Sequence, residues 1–235
     1  MKNFNIKIFA DGADKKSMIE MAKNWRCQGL TTNPTLMAKS GITDYKTFAL
    51  DILSEIKDKP ISFEVFSDEF DEMKRQALEI ASWQNNVYVK IPITNTRGES
   101  SCDLIKELSH NGVKINVTAI FTSNQVNNAF NALKGGEPSV ISIFAGRIAD
   151  SGVNPTPIIT GALNTCFSEK QIEILWASPR ELYNIIEAEK SGCHIITVAH
   201  DLLNKLHLFG KNLEEFSLDT IKMFYEDGKK AGFKL

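Results

Sequence analysis

The sequence predicts an α/β fold, a closed (β/α)8 TIM barrel with an extra C-terminal helix, and three observations carry that expectation. Eight short runs rich in β-branched and aromatic residues recur at intervals of roughly 20 to 35 residues. The intervals between them read as helices. No linker, low-complexity segment or composition break divides the chain, so residues 1–235 are expected to form a single domain. Strands that alternate with helices pair in parallel through right-handed crossovers. Eight such units fit a closed barrel better than an open sheet.

The first run, "FNIKIFAD" (4–11), is very short and meets Asp11 and Asp14, so the N-terminal segment reads as a strand and not as a signal peptide. "DKKSMIEMAKNW" (14–25) then places apolar residues at helical spacing behind an acidic start. The second run, "GLTTN" (29–33), ends on Asn33–Pro34, a turn signal. "ISFEVF" (61–66) is followed by the helical pattern "DEFDEMKRQALEIASW" (68–83). "VYVKI" (87–91) precedes "SSCDLIKELSHNG" (100–112), which ends on a glycine stop. The remaining strand runs are "VKINVTAI" (113–120), "SVISIFAG" (139–146), "IEILWAS" (172–178) and "HIITVA" (194–199). "GRIADSGVNPTP" (146–157) reads as a loop particular to this chain, and "SPRELYNIIEAEKSG" (178–192) as a helix. Last comes "NLEEFSLDTIKMFYEDGKKAGFKL" (212–235), an additional helix and tail to pack on the barrel or on a neighbouring subunit.

Composition narrows the function classes. With 43% hydrophobic and 24% charged residues the chain is ordinary globular protein, long enough to bury a full core without staples. A net charge of −2 offers no basic surface to nucleic acid or to an anionic membrane. Cys27, Cys102, Cys166 and Cys193 are far apart, with no CxxC pair and no clustered histidines, so reduced structural thiols and no metal site are expected. No apolar run reaches the length of a membrane span, and a soluble, cytoplasmic protein is expected.

In a barrel the chemistry gathers at the C-terminal ends of the strands, where inward and outward side chains alternate. Asp11 and Asn33 end the first two runs, and Glu64 and Lys90 lie late in the third and fourth. Asn116 and Thr118 share a face of the fifth, Ser142 and Phe144 a face of the sixth, with Arg147 just beyond. Ser178 and Arg180 follow the seventh. Each has a structural reading as well: Asp11 and Asn33 as helix caps, Lys90 with Glu64 as an ion pair, the arginines as solvated surface. Their collection at one end of seven strands favours a site. Burial of Lys90 disfavours its ammonium form, and a neutral amine is a nucleophile suited to a Schiff base, while Glu64 favours the charged form, so the two effects compete. Arg147, Arg180 and Ser178 supply donors for a phosphate or similar anion. A carbonyl joined to an anionic tail describes a sugar phosphate.

These residues resemble the transaldolase family. "FADGAD" (9–14), "GLTTNPTL" (29–36), "VYVKIP" (87–92), "NVTAIFTSNQ" (116–125), "SIFAGRI" (142–148) and "WASPR" (176–180) are similar to its motifs, in family order and over nearly the whole chain. The length resembles that of the short-chain branch, which includes fructose-6-phosphate aldolase-like members. The resemblance implies a class I, Schiff-base enzyme without metal or cofactor, acting on sugar phosphates in carbohydrate metabolism (the pentose phosphate pathway being the expected setting) and assembling as a homo-oligomer. It implies Lys90 as the Schiff-base lysine, Asp11 as the acid–base residue, and Glu64 with Thr118 as holders of a catalytic water. Asn33, Asn116 and Ser142 match groups around a dihydroxyacetone unit, and Arg147, Ser178 and Arg180 match the phosphate pocket. In the aldolase branch the positions of Glu64 and Phe144 are typically Gln and Tyr; here they follow the transaldolase pattern. Transfer of a dihydroxyacetone unit from a ketose phosphate such as fructose 6-phosphate to an aldose phosphate is therefore expected. The alternatives are an aldolase that releases the unit free, a transaldolase for a modified or sulfonated sugar, and a non-catalytic sugar-phosphate-binding barrel. Gly12 stands where the family usually has Thr, Ala145 where Val is frequent, and "WASPR" differs from common versions, changes that bear on the sugar more than on the reaction. Trp176 is expected to pack in the barrel wall.

Overall fold

A computed structural model describes residues 4–234; Met1–Asn3, and Leu235 at the end of the expected tail, lie outside the described residues. Eight strands close into a barrel in chain order, all pairings parallel: β1 (Lys7–Asp11), β2 (Cys27–Thr31), β3 (Ile61–Glu64), β4 (Val87–Pro92), β5 (Ile115–Ile120), β6 (Ser139–Ile143), β7 (Ile172–Trp176) and β8 (Ile195–Ala199). The helices between them are α1 (Lys15–Lys23), α2 (Pro34–Lys39), α3 (Tyr45–Glu55), α4 (Phe70–Ser82), α5 (Cys102–His110), α6 (Ser123–Leu133), α7 (Ala145–Asp150), α8 (Thr156–Cys166) and α9 (Asn184–Lys190). After β8 come α10 (His200–Leu203), a short 3-10 turn and α11 (Leu213–Ala231). Local chemistry sets the helix starts. Asp14 and Asp44 accept the N–H groups of Ser17 and Thr47 at 2.8 and 3.0 Å, and Thr122 with Gln125 forms a reciprocal capping box.

The apolar residues sort into two cores. Outward strand residues such as Leu30, Phe63, Val89, Ile91, Ile115, Val117, Ile141 and Ile174 pack beneath the helices against Ile52, Met73, Ile105 and Leu133. Each such buried side chain contributes about 1.5–3 kcal/mol relative to exposure. Trp176 is 2% exposed within this outer core, as expected of a wall residue. Inside the barrel, Phe9, Val140, Leu175, Ala177 and Ile195, with Tyr88 and Phe144, form a separate lumen cluster. Phe9 explains Gly29 on the neighbouring strand: a Cβ there would stand 2.5 Å from the phenyl ring.

Several expected boundaries shift, each for a local reason. The second strand is Cys27–Thr31 and not 29–33, because its register runs from Cys27 opposite Ile8 to Thr31 opposite Asp11. Asn33 therefore ends no strand. Its side chain caps α2, accepting the Leu36 N–H at 3.0 Å, with Pro34 in the first helical turn. The third strand stops at Glu64, because the N–H groups of Phe66 and Ser67 turn to Gln76 Oε1 on α4, at 2.9 and 3.2 Å. The sixth stops at Ile143, and the segment 146–157 is not a plain loop: it holds most of α7, a turn, and the start of α8. The helix expected over 178–192 is confined to α9, since Asn184 Oδ1 accepts the N–H groups of Arg180 and Glu181 at 2.7 and 3.1 Å and holds the preceding residues as a turn.

All four cysteines are free thiols, three of them buried, and burial pushes Cys193 up to about 12. No helix among the described residues is long and apolar enough to cross a membrane. Among the same residues no group of three or more His, Cys, Asp or Glu is placed to hold a metal ion.

Candidate active site

Parallel register puts the charged groups side by side. Glu64, Lys90 and Asn116 occupy matching positions on β3, β4 and β5, so all three side chains enter the lumen at one level. Lys90 is 7% exposed. Its Nζ donates to Glu64 Oε2 at 2.8 Å and to the Thr32 carbonyl at 2.8 Å. An ammonium has three donors, so one direction remains for the cavity. Glu64 is itself fixed through its backbone: its N–H donates to Tyr45 Oη and that hydroxyl donates to its carbonyl, both at 2.8 Å.

Asp11, on β1, faces the same space. Thr31, its register partner on β2, donates to Oδ1 at 2.7 Å, and Thr197 on β8 lies 2.5 Å from the Thr31 hydroxyl. With the Thr31 proton engaged on Asp11, Thr197 is the donor of that second bond. Burial raises Asp11 above the usual carboxylate range, against the lowering effects of the Lys90 charge and the Thr31 hydrogen bond. On the far wall Ser142 Oγ donates to Asn116 Oδ1 at 2.6 Å, and Asn116 Nδ2 donates to Ser62 Oγ at 3.1 Å, which fixes the amide plane. The buried Thr118 hydroxyl has no protein partner. Just after it, Ala119 takes a left-handed conformation (φ 59°) where the β5–β6 register slips. A bulge of this kind beside a site re-aims side chains at a cost in strain.

The rim beyond β6 and β7 carries two arginines. Arg147, on α7, lies 5.1 Å over the Phe144 ring. Arg180 Nε donates to Asp150 Oδ2 at 2.9 Å, and Nη2 donates to the same carboxylate. Ser178 sits in the left-handed region (φ 62°), and a Cβ on Gly146 would stand only 1.6 Å from the Ser178 carbonyl oxygen. Glycine is therefore what lets α7 nest against the turn that carries Arg180.

All the residues singled out from the sequence line one cavity of about 500 Å³ at the C-terminal end of the barrel: Asp11, Asn33, Glu64, Lys90, Asn116, Thr118, Ser142, Phe144, Arg147, Ser178 and Arg180. Thr31, Thr197 and Lys39 line it too, and sequence reasoning missed them. A smaller cavity of about 270 Å³ opens at the opposite end, beside Lys7, Gln28, Tyr88 and Glu173. Of these two, only the larger combines a buried lysine, two carboxylates and a rim with two arginines. A nucleophile, a base within reach and fixed polar groups make it the candidate for chemistry.

The sequence profile of the family described as transaldolase/fructose-6-phosphate aldolase matches residues 8–235. The chain belongs to this family. A protein named probable transaldolase from Thermoanaerobacter sp. (strain X514) is 35% identical over 232 residues, covering 98% of this chain and 100% of the relative. Others of the same name are similar: one from Dehalococcoides mccartyi is 34% identical over 203 residues, 86% of this chain and 90% of its own. One from Clostridium perfringens is 35% identical over 228 residues, 96% and 99% of the two chains. In this member of the transaldolase/aldolase family the barrel holds a cavity in which Lys90 and Glu64 lie in direct contact.

Proposed function

We propose that the protein is a class I transaldolase, moving a dihydroxyacetone unit from a ketose phosphate such as fructose 6-phosphate to an aldose phosphate. The observation that carries this reading is Lys90, buried in a barrel strand with two of its three donor directions held and the third turned to the cavity. Glu64, at 2.8 Å, is the group within reach to take the proton that frees the amine. The amine adds to the C2 carbonyl to give a carbinolamine. Glu64 and Thr118 hold the water through which protons pass as the C2 hydroxyl leaves as water, forming an iminium. Asp11 takes the C4 hydroxyl proton, the C3–C4 bond breaks, its electrons flow to the iminium nitrogen, and an aldehyde departs. The enamine then attacks the acceptor carbonyl, Asp11 returns the proton to the new hydroxyl, and addition of water frees Lys90. Splitting one hard step into covalent stages is the kinetic gain.

Asn33, Asn116 and Ser142 orient the three-carbon unit, and Arg147, Ser178 and Arg180 receive the anionic tail. Glu64 and Phe144 favour transfer over release of free dihydroxyacetone, which an aldolase would give without an acceptor. The test is borohydride trapping with fructose 6-phosphate, read by intact mass and peptide mapping. A three-carbon adduct on Lys90 is expected in the parent and none in Lys90→Met, whose turnover should fall by at least about a thousandfold, as expected when a covalent nucleophile is lost. Undiminished activity of Lys90→Met would overturn the mechanism.

A further inference from the structure

We propose that Asp150 is a positioning residue that sets specificity for the anionic tail of the substrate, by fixing which edge of the Arg180 guanidinium faces the cavity. The proposal rests on the reading of Arg147, Ser178 and Arg180 as the anion-binding end. Asp150 is the last residue of α7, one turn beyond Arg147, and it reaches across to the separate turn that carries Arg180. Its two oxygens accept from Arg180 Nε at 3.1 and 2.9 Å, and Oδ2 also accepts from Nη2. This is side-on pairing.

A guanidinium has five N–H donors in a rigid fork. Asp150 engages Nε and Nη2, so both Nη1 hydrogens and the second Nη2 hydrogen remain. One Nη1 hydrogen and that Nη2 hydrogen lie along the end-on edge, the geometry in which arginine grips a phosphate or sulfonate through two parallel hydrogen bonds, while the other Nη1 hydrogen points to the Cδ side. Arg180 is half exposed, and on its own a side chain of that length would be ordered only when substrate arrives. Arg147 reaches the same end by a different device, stacked on Phe144. Gly146 brings α7 and the Ser178 turn into backbone contact, so the Asp150–Arg180 pair closes a clamp between two segments that already touch.

Asp150 also acts on the charge. The side chains of Arg147, Arg180 and Asp150 sum to one net positive charge, suited to a single anionic group. An opposite view makes Asp150 a competitor that the substrate anion must displace. The two views predict opposite signs. Positioning predicts weaker binding of phosphorylated donor when Asp150 is removed, and competition predicts tighter binding.

The test is steady-state kinetics with fructose 6-phosphate and fructose as paired donors and one fixed acceptor. Parent, Arg180→Ala, Asp150→Ala, Asp150→Asn and the Asp150→Ala/Arg180→Ala double variant are compared. In Asp150→Ala the KM for fructose 6-phosphate should rise by about 3- to 10-fold, the scale of ordering one long side chain, with kcat changed less than KM. The KM for fructose should not follow. Asp150→Asn, which keeps one acceptor oxygen, should fall between parent and Ala. In the Arg180→Ala background the Asp150 change should add nothing further, because its partner is gone. If Arg180→Ala raises the fructose 6-phosphate KM while Asp150→Ala leaves it unchanged or lowers it, positioning is wrong and the anion site stands. If Arg180→Ala affects both donors alike, the anion-site reading itself falls, and this proposal with it.

Discussion

Asp11 holds its proton more tightly than a solvated carboxylate, because burial outweighs what Lys90 and Thr31 return to the charged form. A general base works best when its proton affinity approaches that set by the working pH, so this shift serves the role proposed for it. Thr31 donates to the ionised carboxylate and lowers its proton affinity; Thr31→Val removes that bond and lets the affinity rise. The acid limb of kcat/KM should then move to higher pH, while the alkaline side stays where it was. A pH profile of the two proteins measures this, and an acid limb that stays put would mean another group titrates there. Asp11, Glu64 and Lys90 were legible in the sequence because a charge inside or at the end of an apolar run is conspicuous. Thr31 and Thr197 were not: threonine is a common strand residue, and nothing in "GLTTN" or "HIITVA" distinguishes a hydroxyl that relays to Asp11 from one that merely favours a strand. Tyr45 was hidden for a different reason, since its contact with Glu64 joins a helix to a strand and leaves no local trace.

At the scale of elements, strand order and strand parity could be read directly, because period-two alternation within each run fixes which residues enter the lumen. Ends were read less well, and they matter where the end carrying Arg147 and Arg180 is assembled. Ser178 and Ala119 both adopt left-handed backbone without being glycine, and no composition signal marks such positions. The turn from Ser178 to Tyr183 is held open by Asn184, so the expected helix begins six residues late and Arg180 is released to face α7. Gly146 is the joint between these segments. Gly146→Ala would drive a methyl into the Ser178 carbonyl, and the clash cannot be relieved by a flexible side chain because the obstacle is backbone. Thermal unfolding should show a loss of about 1–3 kcal/mol, the scale of overpacking a tight contact. The KM for a phosphorylated donor should rise as well, because α7 and the Arg180 turn are pushed apart. A variant with unchanged stability and unchanged KM would show that α7 does not depend on this approach.

For the whole molecule, the barrel and its two cores account for the folding of everything up to the 3-10 turn after β8, and we propose that residues 1–235 form one domain on that foundation. α11 stands apart from it: none of its nineteen residues is buried. It nonetheless carries Leu213, Leu218, Ile221, Phe224 and Tyr225 on its surface, with Ile221 61% and Phe224 65% exposed. A contiguous apolar surface of that kind is rare on a monomer and marks a contact between molecules. Glu215, Lys222, Glu226 and Lys229 lie at helical spacing on the opposite side, although Glu214 falls among the apolar residues, so the helix is amphipathic and its apolar face is open to a partner. We propose that the partner is a second copy of the chain and that the protein is a homo-oligomer. A closed ring or dimer buries such a face on every subunit, which an adventitious contact does not. Light scattering after gel filtration should give a mass that is an integral multiple of 26.2 kDa. Ile221→Lys with Phe224→Lys, placing charges in the middle of the apolar face, should lower that mass while leaving the barrel's near-ultraviolet signal and the Lys90 adduct in place. A monomeric parent, or an oligomer indifferent to the two lysines, would assign the face of α11 to some other contact.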